Sequence, residues 1–204
     1  MATRALFPTL LYHRPLARSG GRLLNRRLVD ECQALAASDA AGQRWSARNY
    51  LGGYTSYGSL DRLHLVTPLF DTLRRRLDPH VKAFARELRY DLGGRTVAMT
   101  DCWVNVMPAG VVHSLHLHPN SFISGTYYVA VPRGAAALKI EDPRLSLMMA
   151  APPRPGTFVS LPAKAGDVIL FESWLRHEVP PADFSGERVS ISFNYAWNAR
   201  SRRR

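Results

Sequence analysis

The chain has 204 residues, of which 46% are hydrophobic and 10% aromatic, enough for one domain with a sizeable core. This composition excludes an intrinsically disordered chain, and no apolar run approaches the length of a membrane span. The formal net charge of +11 hints at an acidic or phosphorylated partner. Part of that excess lies in the arginine-rich stretches 74–76 and 200–204, and no nucleic-acid-binding motif accompanies it. We therefore expect solvated basic faces rather than a nucleic-acid site.

The N-terminus and the cysteines indicate the cellular location of the protein. The chain contains arginines but no acidic residue before Asp30, a weak sign of a transit peptide. The apolar segment around Tyr12 is better interpreted as a first strand. Cys32 and Cys102 lie far apart and form no CxxC pair, so they predict neither a disulfide framework nor a zinc knuckle. A reducing cytoplasm is the expected location.

Two segments of the first half have the apolar spacing that is typical of helices. Residues 25–37 form the first, with Asn25 as its N-cap. Residues 68–89 form the second, which we expect to break or kink at Pro79, with Asp78 capping the part that follows.

The second half of the chain changes character after the two glycines at 93–94. Short segments rich in β-branched and aromatic residues then alternate with turns that contain Pro and Gly. These predicted strands are residues 96–106, 121–131, 136–141, 157–161, 167–171 and 189–196. Helices followed by closely spaced strands predict an α+β fold whose second half is a sandwich or a barrel.

Three of the seven histidines, His113, His116 and His118, fall within six positions. On a strand, side chains two residues apart project to the same face, so His116 and His118 could converge on one metal ion, with His113 elsewhere. Such a pair also occurs by chance on a protein surface. His177, after the apolar segment 168–171, supplies a third ligand, although a surface histidine before a turn is the alternative. Three protein ligands leave positions open for chemistry, and imidazoles suit iron, zinc, copper and nickel alike.

Arg188 and Ser190 begin the last predicted strand and share one of its faces. An arginine on an exposed edge strand is the ordinary explanation. The strand is otherwise apolar, however, and an unpaired charge within it would be costly. A buried small molecule with a carboxylate resolves this conflict, because a guanidinium and a hydroxyl bind that group well.

Together these motifs resemble the iron(II)/2-oxoglutarate-dependent dioxygenase superfamily, and in particular a bacterial branch with HxH...H in place of HxD...H. The resemblance is strong over residues 96–197 and loose over the N-terminal helices. It rests on Trp103-Val104-Asn105, Gly110, His116-Leu117-His118-Pro119-Asn120-Ser121, Ser124-Gly125-Thr126-Tyr127-Tyr128, Asp142-Pro143-Arg144, Gly166-Asp167, Ser173-Trp174-Leu175-Arg176-His177 and Arg188-Val189-Ser190-Ile191-Ser192-Phe193-Asn194.

The resemblance implies an α+β fold, a double-stranded β-helix (a jelly roll, or cupin-like fold) with N-terminal helices packed on one sheet. We expect a single domain over residues 1–204. Within it, residues 1–92 would form the N-terminal strand and supporting helices, 93–198 the β-helix core and 199–204 a basic tail.

The resemblance also implies a metal site. His116, His118 and His177 would hold iron(II), and His118 stands where most of the superfamily has Asp or Glu. A neutral imidazole there makes the site one unit more positive, which changes its affinity for a dianionic cosubstrate. If Asn120 or a water molecule took that position instead, His118 would only support the site. His113 would be a supporting or substrate-facing residue in either case.

The cosubstrate 2-oxoglutarate would use the remaining conspicuous residues. Arg188, helped by Ser190, would bind its distal carboxylate. Tyr128 or Tyr127 would hydrogen-bond the same molecule, and Asn105 is a candidate for its other end. The reaction expected from the resemblance consumes O2, hydroxylates a C–H bond of an unknown substrate and releases succinate and CO2.

Aromatic residues are candidates for the walls and the mouth of the site. Trp103, Trp174 and Phe193 could form apolar walls, although ordinary core packing explains each of them singly. Residues 42–58 are rich in Gly, Ser and aromatics and predict a loop. Such a loop could cover the mouth with Trp45, Tyr50, Tyr54 and Tyr57.

Two other functions fit parts of this pattern. A three-His, cupin-like dioxygenase that does not use 2-oxoglutarate accommodates the HxH pair, and Arg188 with Ser190 argues against it. A non-catalytic metal-binding β-sandwich module would need neither residue. The apolar face of the helix at 69–88 could also serve a homodimer.

Overall fold

The computed structural model describes residues 3–16, 21–152 and 155–197, which contain five helices and ten strands. The helices are α1 (Gly21–Ser38), α2 (Ala40–Asn49), α3 (Leu63–Val66), α4 (Pro68–Glu87) and α5 (Ser146–Ala150). The strands are β1 (Tyr12–Pro15), β2 (Tyr54–Thr55), β3 (Val97–Met107), β4 (His113–His116), β5 (Ile123–Ala130), β6 (Leu138–Glu141), β7 (Phe158–Leu161), β8 (Asp167–Glu172), β9 (His177–Val179) and β10 (Arg188–Trp197). Across the described ranges, no helix combines the length and apolar character that a membrane crossing requires.

The strands form two antiparallel sheets that pack against each other. The major sheet has the order β1-β8-β5-β10-β3-β2, and the minor sheet has the order β4-β9-β6-β7. Side chains from both sheets share one buried apolar cluster, which includes Tyr128 and Phe171 of the major sheet and Ile140 and Val179 of the minor sheet. This arrangement is the predicted α+β jelly roll, with strands that are neighbours in space but distant in the chain.

The major sheet is buried on both faces, and its side chains alternate between them. Along β3, Cys102, Val104 and Val106 belong to the larger apolar core that the helices α1 and α4 cover. Trp103 and Asn105, one residue out of phase, project to the opposite face, toward the minor sheet. The helices therefore support the sheet from outside, and the inner face is left for a site.

The six predicted strands of the second half are all present, with ends displaced by two residues at most, and β1 confirms the predicted first strand. The two short strands β4 and β9 were not predicted, although each carries a histidine of the predicted metal site. The predicted basic tail at 199–204 lies outside the described residues.

The predicted cap of the first helix is wrong. Helix α1 begins at Gly21, so Asn25 lies inside it. Asn25 instead ties the helix to the major sheet, because its Nδ2 donates to the carbonyl oxygen of Val129 at 2.6 Å. Its Oδ1 accepts a hydrogen bond from the Tyr127 hydroxyl at 2.8 Å. These two contacts replace the local capping bond.

The predicted break at Pro79 is also wrong, because α4 runs through it. Leu77 and Val81, on either side of the proline, are fully buried in the core, so packing holds the helix together where a backbone bond is missing. Asp78 does not cap a new helix, since one of its oxygens accepts a hydrogen bond from the Tyr195 hydroxyl at 2.7 Å.

Two further expectations for the first half need correction. Residues 42–49 of the predicted loop are helical, as part of α2, because Asp39 caps that helix by accepting a hydrogen bond from the Gly42 amide at 2.9 Å. The apolar face of α4 is not free for a homodimer, because it is buried in the core of this chain. Its buried residues are Phe70, Leu73, Leu77, Val81, Phe84 and Ala85.

Candidate metal centre and adjoining cleft

The fold brings His116, His118 and His177 together between the two sheets. His116 ends β4 and pairs with His177, the first residue of β9. His118 lies beyond the end of β4, where its amide donates to the Ser173 carbonyl oxygen at 3.0 Å. The three side chains each offer a ligand nitrogen, and these atoms lie within 4.8 Å of one another. Strand β4 ends at His116, so His118 reaches the cluster from the irregular segment that follows and not from the same strand.

His113 lies closer to this group than expected. It begins β4, and its ring stacks on the His116 ring with 4.6 Å between centroids and 13° between planes. Burial, reinforced by neighbouring histidines and Arg188, lowers the pKa of His113 to about 3. His113 is thus a neutral ring that packs beside the three clustered histidines.

The hydrogen bonds of His116 and His177 fix which ring nitrogen carries the proton. The Nδ1 atom of His116 lies 2.6 Å from the Ser114 carbonyl oxygen, and that of His177 lies 2.9 Å from the Leu175 carbonyl oxygen. A carbonyl oxygen can only accept, so in both rings Nδ1 is the protonated atom. The Nε2 atom of each neutral ring then presents a lone pair to the cluster.

In His118 as well, Nδ1 is the protonated atom, and here the hydrogen-bond partners are side chains. Its Nδ1 atom lies 2.6 Å from Oδ1 of Asn194, and the Asn194 amide is oriented by its Nδ2, which donates to Asp101 at 3.2 Å. The Ser124 hydroxyl also lies 2.8 Å from this Nδ1. Asn194 and Asp101 were not predicted, although Asn194 follows Arg188 and Ser190 at the two-residue spacing of one strand face. This two-residue spacing is the sequence signal that could have identified Asn194 as a residue of the site.

The resulting geometry fits a divalent transition metal ion. The Nε2 atoms of His116 and His118 face each other at 3.2 Å. Burial is the main cause that lowers the pKa of His118 to about 4 and that of His177 to about 2. The rings are therefore neutral near pH 7, and lone pairs face each other with no proton between them. Two nitrogens bound to one ion at about 2.0–2.1 Å lie about 3 Å apart when their bonds are at right angles.

Arg188 is buried next to this cluster without a carboxylate partner among the described residues. Only 3% of its surface is exposed. One Nη1 contacts the Ser190 hydroxyl and the Met107 sulfur, each at 3.3 Å, while its Nε has no hydrogen-bond partner. The guanidinium lies over the Tyr128 ring, 5.1 Å from its centroid. A buried cation in this state calls for an anionic ligand.

Two more unsatisfied polar atoms lie near the guanidinium. Within the described part of the chain, neither Asn105 Oδ1 nor the Tyr128 hydroxyl has a hydrogen-bond partner, although both are buried. Asn105 and Arg188 line a cavity of about 30 Å³, whose walls also include His116, His118 and His177. The Asn105 side chain, the guanidinium and the histidines therefore face one small space, and Tyr128 lies directly beside the guanidinium, as in a site built for a polar ligand.

Tyr127 does not belong to this group. Its side chain projects to the outer face of the major sheet, where its hydroxyl donates to Asn25. Adjacent residues of a strand point to opposite faces, so Tyr127 and Tyr128 cannot both reach the small cavity. The suggested contact of Tyr127 with a cosubstrate is therefore wrong.

A larger cleft of about 570 Å³ adjoins the cluster, with His116 and His118 in its lining, and its volume is within the size range of small-molecule sites. Trp103 forms one wall as predicted. Trp174 is half exposed and Phe193 is buried in the core under the helices, and neither lines the cleft. Of the aromatic residues expected at the mouth, Trp45, Tyr50 and Tyr57 line it and Tyr54 does not.

Comparisons with known proteins agree with this arrangement. Residues 101–194 match the sequence profile of the family described as "Putative 2OG-Fe(II) oxygenase". The matched segment contains the three clustered histidines and the buried arginine. This segment of the chain is therefore similar to the iron(II)/2-oxoglutarate-dependent oxygenases. No curated protein sequence matches it significantly.

Several solved structures share the fold of this chain. A prolyl-4-hydroxylase of Pseudomonas putida is 17% identical, with a TM-score of 0.62 and 94% of both chains covered. The α-ketoglutarate-dependent epimerase SnoN of nogalamycin biosynthesis is 17% identical, with a TM-score of 0.64, 92% of this chain and 78% of SnoN covered. HygX of Streptomyces hygroscopicus, solved with nickel, 2-oxoglutarate and hygromycin B, is 15% identical, with a TM-score of 0.63 and coverages of 92% and 83%. At these identities the likeness extends to the jelly roll and not to a substrate.

Proposed function

We propose that this oxygenase uses iron(II), 2-oxoglutarate and O2 to hydroxylate a C–H bond of a substrate bound in the larger cleft. His116, His118 and His177 hold the iron. Arg188 and Ser190 bind the distal carboxylate of 2-oxoglutarate. The single observation that carries this proposal is the pairing of three converging Nε2 lone pairs with a buried, unpaired guanidinium in one cavity.

Iron(II) with bound 2-oxoglutarate supplies O2 activation and C–H oxidation, with release of succinate and CO2. The protein supplies orientation. The Nδ1 hydrogen bonds of the three histidines hold their rings in the tautomer that offers Nε2, so no proton must leave before an ion binds. Arg188 fixes one end of the cosubstrate, because a guanidinium forms strong charge-assisted bonds to a carboxylate.

Asn105 and Tyr128 complete the cosubstrate site. The carbonyl oxygen of the Asn105 side chain has no partner, while its Nδ2 donates to the Ser192 hydroxyl at 3.0 Å. Burial raises the pKa of Tyr128 above its usual value, although Arg188 acts in the opposite direction, so its hydroxyl stays protonated and can donate. We assign the Tyr128 hydroxyl as a donor to a carboxylate oxygen of the cosubstrate. We assign Asn105 to the end away from Arg188 with its amide turned, so that Oδ1 accepts from the Ser192 hydroxyl and Nδ2 donates to the cosubstrate, because 2-oxoglutarate itself has no donor.

An anaerobic titration of the purified protein with iron(II) and 2-oxoglutarate tests this proposal. A metal-to-ligand charge-transfer band in the visible is expected only when both are present. Succinate formed from 2-oxoglutarate in air is the second expected signal. Metal binding without the band would contradict the assigned cosubstrate.

A three-His dioxygenase that does not use 2-oxoglutarate is the second candidate, favoured by the all-imidazole donor set. It predicts iron binding with no charge-transfer band and O2 consumption without succinate. In that case Arg188 would bind a carboxylate of the substrate itself. The same titration therefore separates the two functions.

We further propose that the protein is located in the cytoplasm. The cytoplasm is supported by the two cysteines, since Cys32 and Cys102 are both free and buried. A homodimer has no surface assigned to it, because the helix face first suggested is used inside the chain.

A further inference from the structure

The larger cleft differs in charge from the rest of the molecule. The chain carries 27 Lys and Arg against 16 Asp and Glu, yet no Lys or Arg is among the described residues that line this cleft. Two carboxylates, Asp61 and Asp101, line it instead. The fixed charge at the mouth is therefore negative, whereas the whole protein is strongly positive. A phosphorylated or carboxylate-rich substrate would find no cationic partner there.

Asp61 is free to bind a ligand. It is exposed, and neither a hydrogen bond nor an ion pair engages its side chain within the described part of the chain. Its backbone carbonyl accepts from the Cys102 amide at 2.6 Å, which anchors it beside β3. Asp101, on the neighbouring stretch of β3, is committed to the Asn194 amide and the Thr100 hydroxyl. Both of these bonds use Oδ2 of Asp101, so Asp61 is the cleft carboxylate with neither oxygen engaged by another described residue.

A continuous aromatic wall leads from the mouth to the histidines. The rings of Trp45 and Tyr57 lie 6.0 Å apart, those of Tyr57 and Trp103 lie 5.1 Å apart, and Trp103 lies 5.6 Å from His118. The faces of indole and phenol rings attract cations through their quadrupole. Such a wall next to an unpaired carboxylate is suited to an ammonium group.

A third feature of the cleft also lacks a partner. Tyr50 lines it with only 5% of its surface exposed, and its hydroxyl has no hydrogen-bond partner among the described residues. Its ring lies 5.2 Å from that of His113, close to the proposed metal site. The Tyr50 ring therefore forms a rigid part of the cleft wall beside the histidines.

We infer that the substrate of this oxygenase is a small molecule carrying a protonated amine, which Asp61 and the aromatic wall hold at the mouth of the cleft. This inference rests on the proposed function, since it names what that site oxidises. It replaces the expectation of an acidic or phosphorylated partner, which came from net charge alone. The cleft volume of about 570 Å³ suits a small molecule.

Three probes of similar shape test this inference. The protein loaded with iron(II) and 2-oxoglutarate is titrated anaerobically, by calorimetry, with cyclohexylmethylammonium, cyclohexylmethanol and cyclohexanecarboxylate. The ammonium should bind about tenfold more tightly than the alcohol, from one cation–π contact and one partly exposed ion pair. The carboxylate should bind most weakly. Equal binding of the three probes, or preference for the carboxylate, overturns the inference.

Asp61→Asn and Asp183→Asn provide the matched pair of variants. Both remove one exposed carboxylate, but Asp183 lies outside the lining of the cleft. Asp61→Asn should reduce the ammonium preference to about twofold, and Asp183→Asn should leave it unchanged. An unchanged preference in Asp61→Asn overturns the role of that residue. If that variant does not fold, the salt dependence of probe binding to the wild-type protein tests the role of charge instead. Added salt should weaken binding of the ammonium but not of the alcohol.

The charge-transfer band keeps this test separate from the proposed function. Each preparation is checked for the band before probes are added. A band without ammonium preference overturns only the substrate class. Loss of the band overturns the proposed function, while an ammonium preference that persists in the protein alone still supports a negatively charged cleft that binds cations.

Discussion

The Nδ1 atom of His118 lies 2.6 Å from the side-chain oxygen of Asn194. Asp101 lies behind this amide and accepts a hydrogen bond from its Nδ2. A carboxylate is therefore linked to His118 through one intervening amide. Through this chain of hydrogen bonds, the negative charge supports the basicity of His118 without contacting the ion.

Replacing Asn194 by Ala should therefore weaken metal binding. Partners of this kind typically change metal affinity by about 10- to 100-fold, and the Ser124 hydroxyl keeps the loss toward the lower end. Nickel(II) is the probe, since it reports affinity by calorimetry without turnover. The 2-oxoglutarate affinity of the nickel-loaded variant should change little. Wild-type nickel affinity in the variant would show that Asn194 has no part in positioning His118.

Metal binding should also stabilise the fold. An ion at about 100 times its dissociation constant adds roughly 2.7 kcal/mol, or roughly 5–10 °C in the unfolding temperature for a chain of this size. His177→Ala should lose most of this nickel-dependent shift, because it removes one of three ligands. The measurement is thermal unfolding with nickel and with a chelator.

His13→Ala is the matched control for that measurement. His13 is an exposed histidine on β1, at the edge of the major sheet, where it contacts the Asp167 carboxylate at 3.0 Å, whereas β9 belongs to the minor sheet. Its replacement should leave the nickel shift intact. A shift that disappears in His13→Ala, or persists fully in His177→Ala, would place the metal elsewhere.

Arg188→Met should separate cosubstrate binding from metal binding. Loss of one partner of a buried charge pair costs about 2–5 kcal/mol, so the 2-oxoglutarate dissociation constant should rise at least roughly 30-fold. Nickel content should be unchanged. Without cosubstrate the variant should be as stable as the wild-type protein or more so, because it removes a buried charge that has no carboxylate partner. Normal succinate production would rule out the role of Arg188.

Much of the fold followed from local pattern. The six strands of the second half have β-branched and aromatic residues between Pro and Gly turns, so their positions were predictable to within two residues. The short strands β4 and β9 were not, because three or four residues with histidines lack any periodic signal. Pairing across the minor sheet, between His116 and His177, is what makes them strands.

The helical errors have a common cause in tertiary contacts. Asn25 has the chemistry of a cap, but a carbonyl of the major sheet competes for its amide. Pro79 has the chemistry of a breaker, but burial of the residues around it overrides the propensity. Neither competing contact is visible in the local sequence.

The site was predictable in its principal residues but not in its supports. Three histidines and a buried arginine are rare enough together to be noticed from the sequence. Asn194, Asp101 and Asp61 are ordinary polar residues whose importance depends on which side of a strand or loop faces the cleft. These three residues line the cleft because of how β3 and β10 pair, and that pairing is not visible in the local sequence.

Tyr127 and Tyr128, neighbours on β5, allow the residues that stabilise the fold to be distinguished from those that bind the cosubstrate. Tyr127→Phe removes a hydrogen bond between the sheet and α1, so we expect a loss of about 1 kcal/mol in the free energy of unfolding. Tyr128→Phe removes a buried hydroxyl that has no partner, so stability should stay the same or rise.

For 2-oxoglutarate affinity the order should be reversed, with Tyr128→Phe affected and Tyr127→Phe not. Tyr128→Phe should weaken 2-oxoglutarate binding by about fivefold, the effect of one lost hydrogen bond of about 1 kcal/mol. Tyr127→Phe should leave it unchanged, since that hydroxyl lies on the other face of the sheet. Chemical unfolding and a 2-oxoglutarate titration of the metal-loaded variants measure both quantities. If Tyr127→Phe changed cosubstrate affinity while Tyr128→Phe did not, the inner face of the major sheet could not be the one that binds 2-oxoglutarate.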